Sequence, residues 1–424
     1  MIRTSKHSIR FSNINKTADL NSFITEYRRV AKIIVDEVWD NGYDNFSIQN
    51  NQLTFPKFLD YNTFDIDTNL TGRALSSLVT QISGMIRAEV EKQKKRLFIL
   101  EKKKNEGASK SQRKLLAKKI KQNIPIKPSC LNIQPELSSK CVDWRYDENG
   151  YYDGFLQLKS IVTSGRRIRL PIKLFTKHTK KLIDKGGEMM NSFLIGTEFI
   201  NVRWKLPTAE NKKGKETIGA DQGLKDVVTL SDGQQAGKVD RHGYSLETIL
   251  KKMSLKKKGS HAFKRCQNQR KNFINWSINQ LNLSSACQLN LEKIFNIGYK
   301  SNQSRYMSHW TNTIIRDKIE KKCEEEGVRL THQSSTYRSQ RCSCCGNVRK
   351  ANRKGKIYSC KHCGNIMDAD LNAAKNHEFE LPEIPYVLRK KNLNRGFGFF
   401  WKPSGFFDFS GRSLESLPHV ELTT

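Results

Sequence analysis

No stretch of this 424-residue sequence approaches the roughly 20 consecutive apolar residues of a membrane-spanning helix, so a membrane is not among the expected partners. The opening residues, Met1-Ile2-Arg3-Thr4-Ser5-Lys6, lead into no apolar signal-peptide core, and residence in a reducing cytoplasm is the expectation. Acid is scarce as well. Against 75 Lys and Arg stand only 42 Asp and Glu, a formal charge of +33. Such an excess repels itself unless a polyanion neutralises it, which points to nucleic acid. With 37% hydrophobic residues, the chain is not disordered throughout and has material for two or three cores.

Six of the ten cysteines stand outside any C-x-x-C pair, and buried single cysteines behave as small hydrophobes in a reducing compartment. The other four form the pattern C-x2-C-x14-C-x2-C from Cys342, Cys345, Cys360 and Cys363, with Gly346 and Gly364 directly after each pair. Two such knuckles turn four thiolates inward at the spacing that one tetrahedral Zn²⁺ requires. Cys344 offers a competing thiol, but the spacing and Gly346 favour Cys345. A redox dithiol is the lesser reading of each pair. The insert between the pairs holds Arg349, Lys350, Arg353, Lys354 and Lys356 and no acid, which suits either a phosphate backbone or a plain structural staple.

Periodicity divides the chain. Residues 1–13 read as extended, Thr17 as the cap of a helix with Leu20, Phe23, Tyr27, Val30, Ile34 and Val38 on one face, and Asn41-Gly42 as its stop. A second helix carries Leu75, Leu78, Ile82 and Ile86 and runs into a basic stretch at Lys102–Lys121. From Cys130 to Leu206 short strands with a hairpin signal at Asn149-Gly150 predict a small barrel. After a linker at 211–215 the order becomes strand, hairpin, a basic helix or helix pair from Ser245 to Leu281, strand, helix, strand. The fourth of these strands alternates Cys287, Leu289 and Leu291 with Gln288, Asn290 and Glu292, as a half-buried strand would. That order is what an RNase H-like α/β core gives.

Three carboxylates stand at informative places, each with an ordinary alternative. Asp221 lies in Ile218-Gly219-Ala220-Asp221-Gln222-Gly223, where glycine permits close approach by a ligand, or merely a turn. Glu292 closes the alternating strand, as any exposed strand end could. Asp370, in Asp368-Ala369-Asp370-Leu371-Asn372-Ala373-Ala374-Lys375-Asn376, stands in a helix's first turn, where an aspartate can serve as a cap.

Taken in order, the G-x-D-x-G strand, the Glu closing a strand, the Trp310 helix, the Ser339-Gln340-Arg341-Cys342 entry to the cysteine pairs and the D-x-N-A-A helix resemble TnpB, the transposon-encoded RNA-guided nucleases, and the related miniature type V CRISPR effectors. The resemblance covers about Ile218–Asn376 and is architectural before that. It implies a multi-domain α+β protein with a helical recognition domain, a small β-barrel-like wedge domain, and a RuvC (RNase H-like) nuclease domain with an inserted zinc ribbon. The corresponding boundaries are 1–16 for the first wedge strand, 17–127 for recognition, 128–210 for the wedge, 216–335 for the nuclease domain, 336–366 for the ribbon, 367–380 for the last nuclease helix and 381–424 for a tail. It implies that Asp221, Glu292 and Asp370 hold two Mg²⁺ ions for DNA phosphodiester hydrolysis, beside the one Zn²⁺ of the ribbon. It further implies a guide RNA and a double-stranded DNA target next to a short motif as partners, a homodimer on one guide as an assembly, and a prokaryotic, nucleoid-associated location. Ala220, Lys293 and Arg338 depart from the family's usual residues, which keeps open a guided DNA-binding transcriptional regulator without cleavage.

Lys251, Lys252, Lys256, Lys257, Lys258, Lys264, Arg265, Arg270 and Lys271 fall in one window with no acid, and are expected on nucleic-acid phosphates or on a solvated face. The tail holds Phe397, Phe399, Phe400, Trp401, Phe406, Phe407 and Phe409, too aromatic for a solvated end. Docking on the core, stacking on bases and self-association are the alternatives.

Overall fold

Polar residues alternate with apolar ones at a period of 3.6 after residue 13 and at a period near 2 after residue 135, and the two regimes yield helices and strands in that order. The computed structural model describes residues 1–40, 47–49, 52–54, 60–105, 111, 113–114, 117, 125–294, 304–385, 388 and 397–414. They fall into two units, Met1–Pro207 and Thr208–Thr424. The Asn41-Gly42 stop and most of Lys102–Lys121 lie outside the described residues.

Unit 1 begins with strand β1 (Ile2–Ser8) and helix α1 (Ile14–Asp40). The cap of α1 is Asn13 and not Thr17: the Asn13 Oδ1 accepts the Lys16 amide at 2.9 Å, and the Thr17 hydroxyl donates to the Asn13 carbonyl. All six residues of the predicted α1 stripe are buried. After a hairpin of β2 (Ser47–Gln49) and β3 (Gln52–Thr54), helix α2 (Gly72–Asn105) buries Leu78, Ile82 and Ile86 in the same core. Strands β4 (Glu136–Ser138), β5 (Val142–Tyr146), β6 (Gly154–Leu158) and β7 (Ile168–Ile172), helix α3 (Lys177–Asp184), and strands β8 (Glu188–Ile195) and β9 (Phe199–Lys205) complete the unit.

The expected barrel does not form. Among the described residues the strands make two open sheets, β1-β9-β8-β4 and β5-β6-β7. Local turn signals produced the hairpins, but closure requires edge strands to pair and these edges do not.

Unit 2 is built on strands β10 (Thr217–Gln222), β11 (Val228–Leu230), β12 (Gln235–Ala236), β13 (Gln288–Lys293) and β14 (Arg329–Ser334), in the order β12-β11-β10-β13-β14. The first three are antiparallel neighbours; β13 runs parallel to both β10 and β14. The basic stretch is a helix pair, α4 (Leu246–Ser254) and α5 (His261–Asn279), each capped by a serine. Helix α6 (Asn312–Glu326) buries Ile315, Ile319 and Cys323, and starts after Trp310 instead of including it.

The cysteine region supplies β15 (Asn347–Val348), β16 (Arg353–Lys354), β17 (Ile357–Ser359) and β18 (Ile366–Asp368), and β18 leads directly into helix α7 (Ala369–Glu378). Helix α7 lies against β10 so closely that a Cβ on Gly219 would stand 2.0 Å from the Ala374 carbonyl oxygen. It also covers the polar face of β13, so that strand is buried on both faces and not half-buried. Gln288 donates to Asn290 Oδ1 at 2.7 Å, and Asn290 Nδ2 donates to the His377 carbonyl at 2.8 Å. The aromatic tail docks on its own unit: β19 (Phe399–Lys402) and β20 (Gly405–Phe407) form a hairpin whose first strand pairs with β15. Phe399, Trp401 and Phe406 are buried there with Val348, Ile384 and Leu388. No described helix is long and apolar enough to cross a membrane.

Candidate functional site

Parallel pairing of β10 with β13 sets Ala220 opposite Leu291, so Asp221 and Glu292 follow side by side at the C-terminal ends of neighbouring strands. That end of an open α/β sheet is where ligands bind. The cap of α7 is Asp368, whose Oδ1 accepts the amides of Asp370 and Leu371 at 2.9 and 3.0 Å. Asp370 is therefore released from capping, and it lines one cleft of about 670 Å³ with Asp221, Glu292, Trp310, Arg353 and Lys356. Burial, then the neighbouring Glu292 and Asp370, holds the Asp221 carboxyl well above its usual range. Burial likewise pushes Glu292 up to about 7.

Four residues at the site were not visible there in the sequence. Lys356 Nζ bridges Asp226 Oδ2, at 2.6 Å, and Asp370 Oδ2, and Arg353 Nη2 reaches Asp370 Oδ1 at 3.0 Å. Two cations expected on phosphate thus lie on carboxylates, and Asp226 joins the site as a fourth acid. Burial works against the Lys356 ammonium, but its bonds to Asp226 and Asp370 raise it on balance. His377, the penultimate residue of α7, is 1% exposed, and one of its ring nitrogens stands within 4.8 Å of Asp221 and Glu292 carboxylate oxygens. Burial, with Arg338 nearby, lowers this imidazole to about 3, so the ring is neutral at physiological pH.

The Sγ atoms of Cys342, Cys345, Cys360 and Cys363 lie within 4.8 Å of one another, with Cys342–Cys363 and Cys345–Cys360 each at 3.7 Å. Four thiolates about 2.3 Å from a tetrahedral centre stand about 3.8 Å apart, so the donor set fits Zn²⁺. Cys344 is exposed and outside the cluster. Each knuckle closes through a glycine in the left-handed region, Gly346 at φ 78° and Gly364 at φ 72°. Two buried arginines tie this module to α7. Arg338 donates to the carbonyls of Ser334, Asn376 and Phe379, and Arg341 to the Trp401 carbonyl and Asn376 Oδ1. Burial lowers both to about 10, which still leaves them cationic at the negative end of the helix.

Of the basic window, Lys251, Lys252, Lys257, Lys258, Lys264, Arg265 and Lys271 are exposed and Lys256 is half-buried. Arg270 is a correction: it is buried and donates to the His309 carbonyl, because its place on α5 faces α6. In the cysteine insert Lys350 and Lys354 are exposed, while Arg349 stacks over the Phe409 ring at 4.3 Å.

The family described as "Cas12f1-like, TNB domain" matches residues 313–377. The chain is 40% identical over 86 residues to the CRISPR-associated endodeoxyribonuclease Cas12f1 of Sulfoacidibacillus thermotolerans, covering 20% of each protein. It is 27% identical over 145 residues to the protein of that name from Syntrophomonas palmitatica, covering 26% of this chain and 29% of that one. A putative transposase, A625R, of Paramecium bursaria Chlorella virus 1 is 36% identical over 70 residues, 16% of this chain and 15% of that one. The matches thus span less than a third of each curated relative. Among solved structures, a Cas12f1-sgRNA-target DNA complex aligns with a TM-score of 0.47 at 14% identity, over 88% of this chain and 83% of that one. The stretch 313–377, which carries the cysteine knuckles and nearly all of α7, is similar to the Cas12f1-like TNB family, and parts of the chain are similar to two curated Cas12f1 proteins.

Proposed function

We propose that this chain is an RNA-guided DNA endonuclease that hydrolyses DNA phosphodiester bonds at a guide-matched target beside a short motif. The observation that carries the reading is the convergence of Asp221, Glu292 and Asp370, from three distant segments, on one cleft. Phosphodiester hydrolysis needs charge neutralised at the attacking and leaving oxygens, and two Mg²⁺ ions held by such carboxylates would supply that. Asp221 and Glu292, adjacent on parallel strands, would hold the ions from the sheet side and Asp370 from the helix side. Lys356 and Arg353 would screen the acids and meet the incoming phosphate as metal draws the carboxylates away. Residues 216–335 and 367–380 take the part of a RuvC-type nuclease domain, and Cys342, Cys345, Cys360 and Cys363 that of a zinc ribbon.

Unit 1, with its helices and open sheets, takes the part of the recognition and wedge regions that hold the guide. Base pairing then reads sequence and the protein reads duplex shape. The exposed lysines of α4 and α5 and the connection between them would contact phosphates. The names of the Cas12f1 relatives describe the same chemistry.

The decisive experiment purifies the protein, sequences the RNA that accompanies it, and assays plasmid cleavage with Mg²⁺ and a matched guide. One defined RNA with a variable end, and cleavage lost in Asp370→Ala while RNA and DNA binding persist, are the expected results. Random RNA, or undiminished cutting by the variant, refutes the reading. A second reading, guided binding without cleavage, is favoured by one observation: two cations already occupy Asp370. Binding without any cleavage of matched plasmid would select it.

A further inference from the structure

We propose that a ring nitrogen of His377 binds one divalent cation together with Asp221 and Glu292, making that position a mixed nitrogen and oxygen site that accepts a transition-metal ion such as Mn²⁺ more readily than Mg²⁺. The inference rests on the cation-dependent reading of the cleft and adds a ligand, and a metal preference, that the carboxylates alone do not imply. One ligand atom from each of the three residues lies within 4.8 Å of the others. Opposite ligands of an octahedral ion with bonds of about 2.1 Å stand about 4.2 Å apart, so a small contraction closes the set.

His377 is 1% exposed, and its Nδ1 is buried without a hydrogen-bond partner. Buried polar atoms are nearly always paired, so an orphan nitrogen on a ring that stands beside two carboxylates points to a ligand. The residue is also firmly placed: its carbonyl accepts Asn290 Nδ2, and Arg338 holds the neighbouring Asn376 carbonyl. The three-residue cluster is distinct from the Asp370 side of the cleft, where Arg353 and Lys356 engage both carboxylate oxygens. No ion pair is made by Asp221 or Glu292 among the described residues, so their carboxyl oxygens are left for a cation, which displaces their protons. Imidazole is a softer donor than carboxylate; divalent transition metals accept it alongside carboxylates, whereas Mg²⁺ strongly prefers oxygen.

The test uses the full chain with its cysteine cluster saturated with zinc, loaded with one equivalent of Mn²⁺, and reads ¹⁴N modulation of the Mn²⁺ electron spin echo. The expected result is the coupling of a directly bound imidazole nitrogen, absent in His377→Ile. By calorimetry that variant should lose about tenfold or more in Mn²⁺ affinity and less than about threefold in Mg²⁺ affinity. Should His377→Ile fail to fold, the wild-type spectrum decides by itself. Mn²⁺ binding that Asp221→Asn abolishes, but without nitrogen coupling, would overturn the role of His377 and leave the endonuclease reading standing. Absence of any Asp221-dependent Mn²⁺ binding would overturn both.

Discussion

Lys356→Met removes an ammonium from between two buried carboxylates while keeping its aliphatic stem. The lysine side chain is 30% exposed, against 7% for Asp226 and 9% for Asp370. Breaking a buried pair by deleting one partner costs about 3–5 kcal/mol. Two features reduce that figure: the ammonium is partly wet, and Asp370 retains Arg353 at 3.0 Å. A loss of about 2–3 kcal/mol is expected in metal-free buffer, since partial exposure screens the pair. For a unit of this size each kcal/mol moves Tm by about 2–4 °C, so the melting transition of unit 2 should fall by about 5–10 °C. A divalent cation takes over the neutralisation, and at a hundred times its Kd it returns about 2.7 kcal/mol. Magnesium should therefore raise the variant's Tm more than the wild type's and close most of the gap. The assay is a pair of thermal melts of zinc-loaded protein with and without Mg²⁺. A variant within 1 °C of wild type in metal-free buffer, or a gap equal in both buffers, would refute the reasoning.

Three further outcomes are expected. Cys345→Ser, or zinc chelation, should unfold the knuckles and with them the start of α7, because structural Zn²⁺ supplies about 10–16 kcal/mol of folding free energy; limited proteolysis should open new cuts within 336–368, and an unchanged digest would exclude a structural metal there. Glu292 is raised from 4.5 to about 7 by burial, so the folded state holds its proton more tightly than the unfolded state does. The contribution of Glu292 to metal-free stability is then full below about 4.5 and is lost as pH rises to about 7, by about 3 kcal/mol at most. Cation binding must release protons across the same window, and calorimetry in two buffers of different ionisation enthalpy that detects no proton release would contradict the assignment. Gly219→Ala should lower stability by about 3 kcal/mol or more, since its Cβ would meet the Ala374 carbonyl and the Glu378 amide, both backbone; a melt within 2 °C of wild type would show that α7 can move aside.

The parts of the fold that local chemistry writes were legible. The α1 stripe from Leu20 to Val38 and the four cysteines declare themselves through spacing, because 3.6-residue periodicity and thiolate geometry act within a few residues. What required long-range contact was hidden. Asn290 looked solvent-facing, since a buried polar residue is recognisable only by its partners, and the carbonyl it donates to lies on α7 some ninety residues later. Lys356 and Arg353 looked like phosphate ligands because charge pattern alone does not distinguish an anion in a nucleic acid from one in the protein's own sheet. Asp370 became separable from a helix cap only when Asp368 was seen to fill that place. His377 carried no signal beyond its identity. The missing barrel has the same origin: hairpins are local, whereas closure is a property of edges.

In unit 1 the Met1 amine donates to the Leu206 carbonyl at 2.8 Å, and β1 pairs with β9 from Ile2 opposite Lys205 to Ser8 opposite Phe199. A protein tethered ahead of Met1, such as a fluorescent reporter or a base-modifying enzyme, would therefore emerge beside the point where the chain leaves this unit. The linker designer would start from that seam, and a bulky tether trimmed too short would pry at the outermost rung of the β1–β9 ladder before it disturbed anything else.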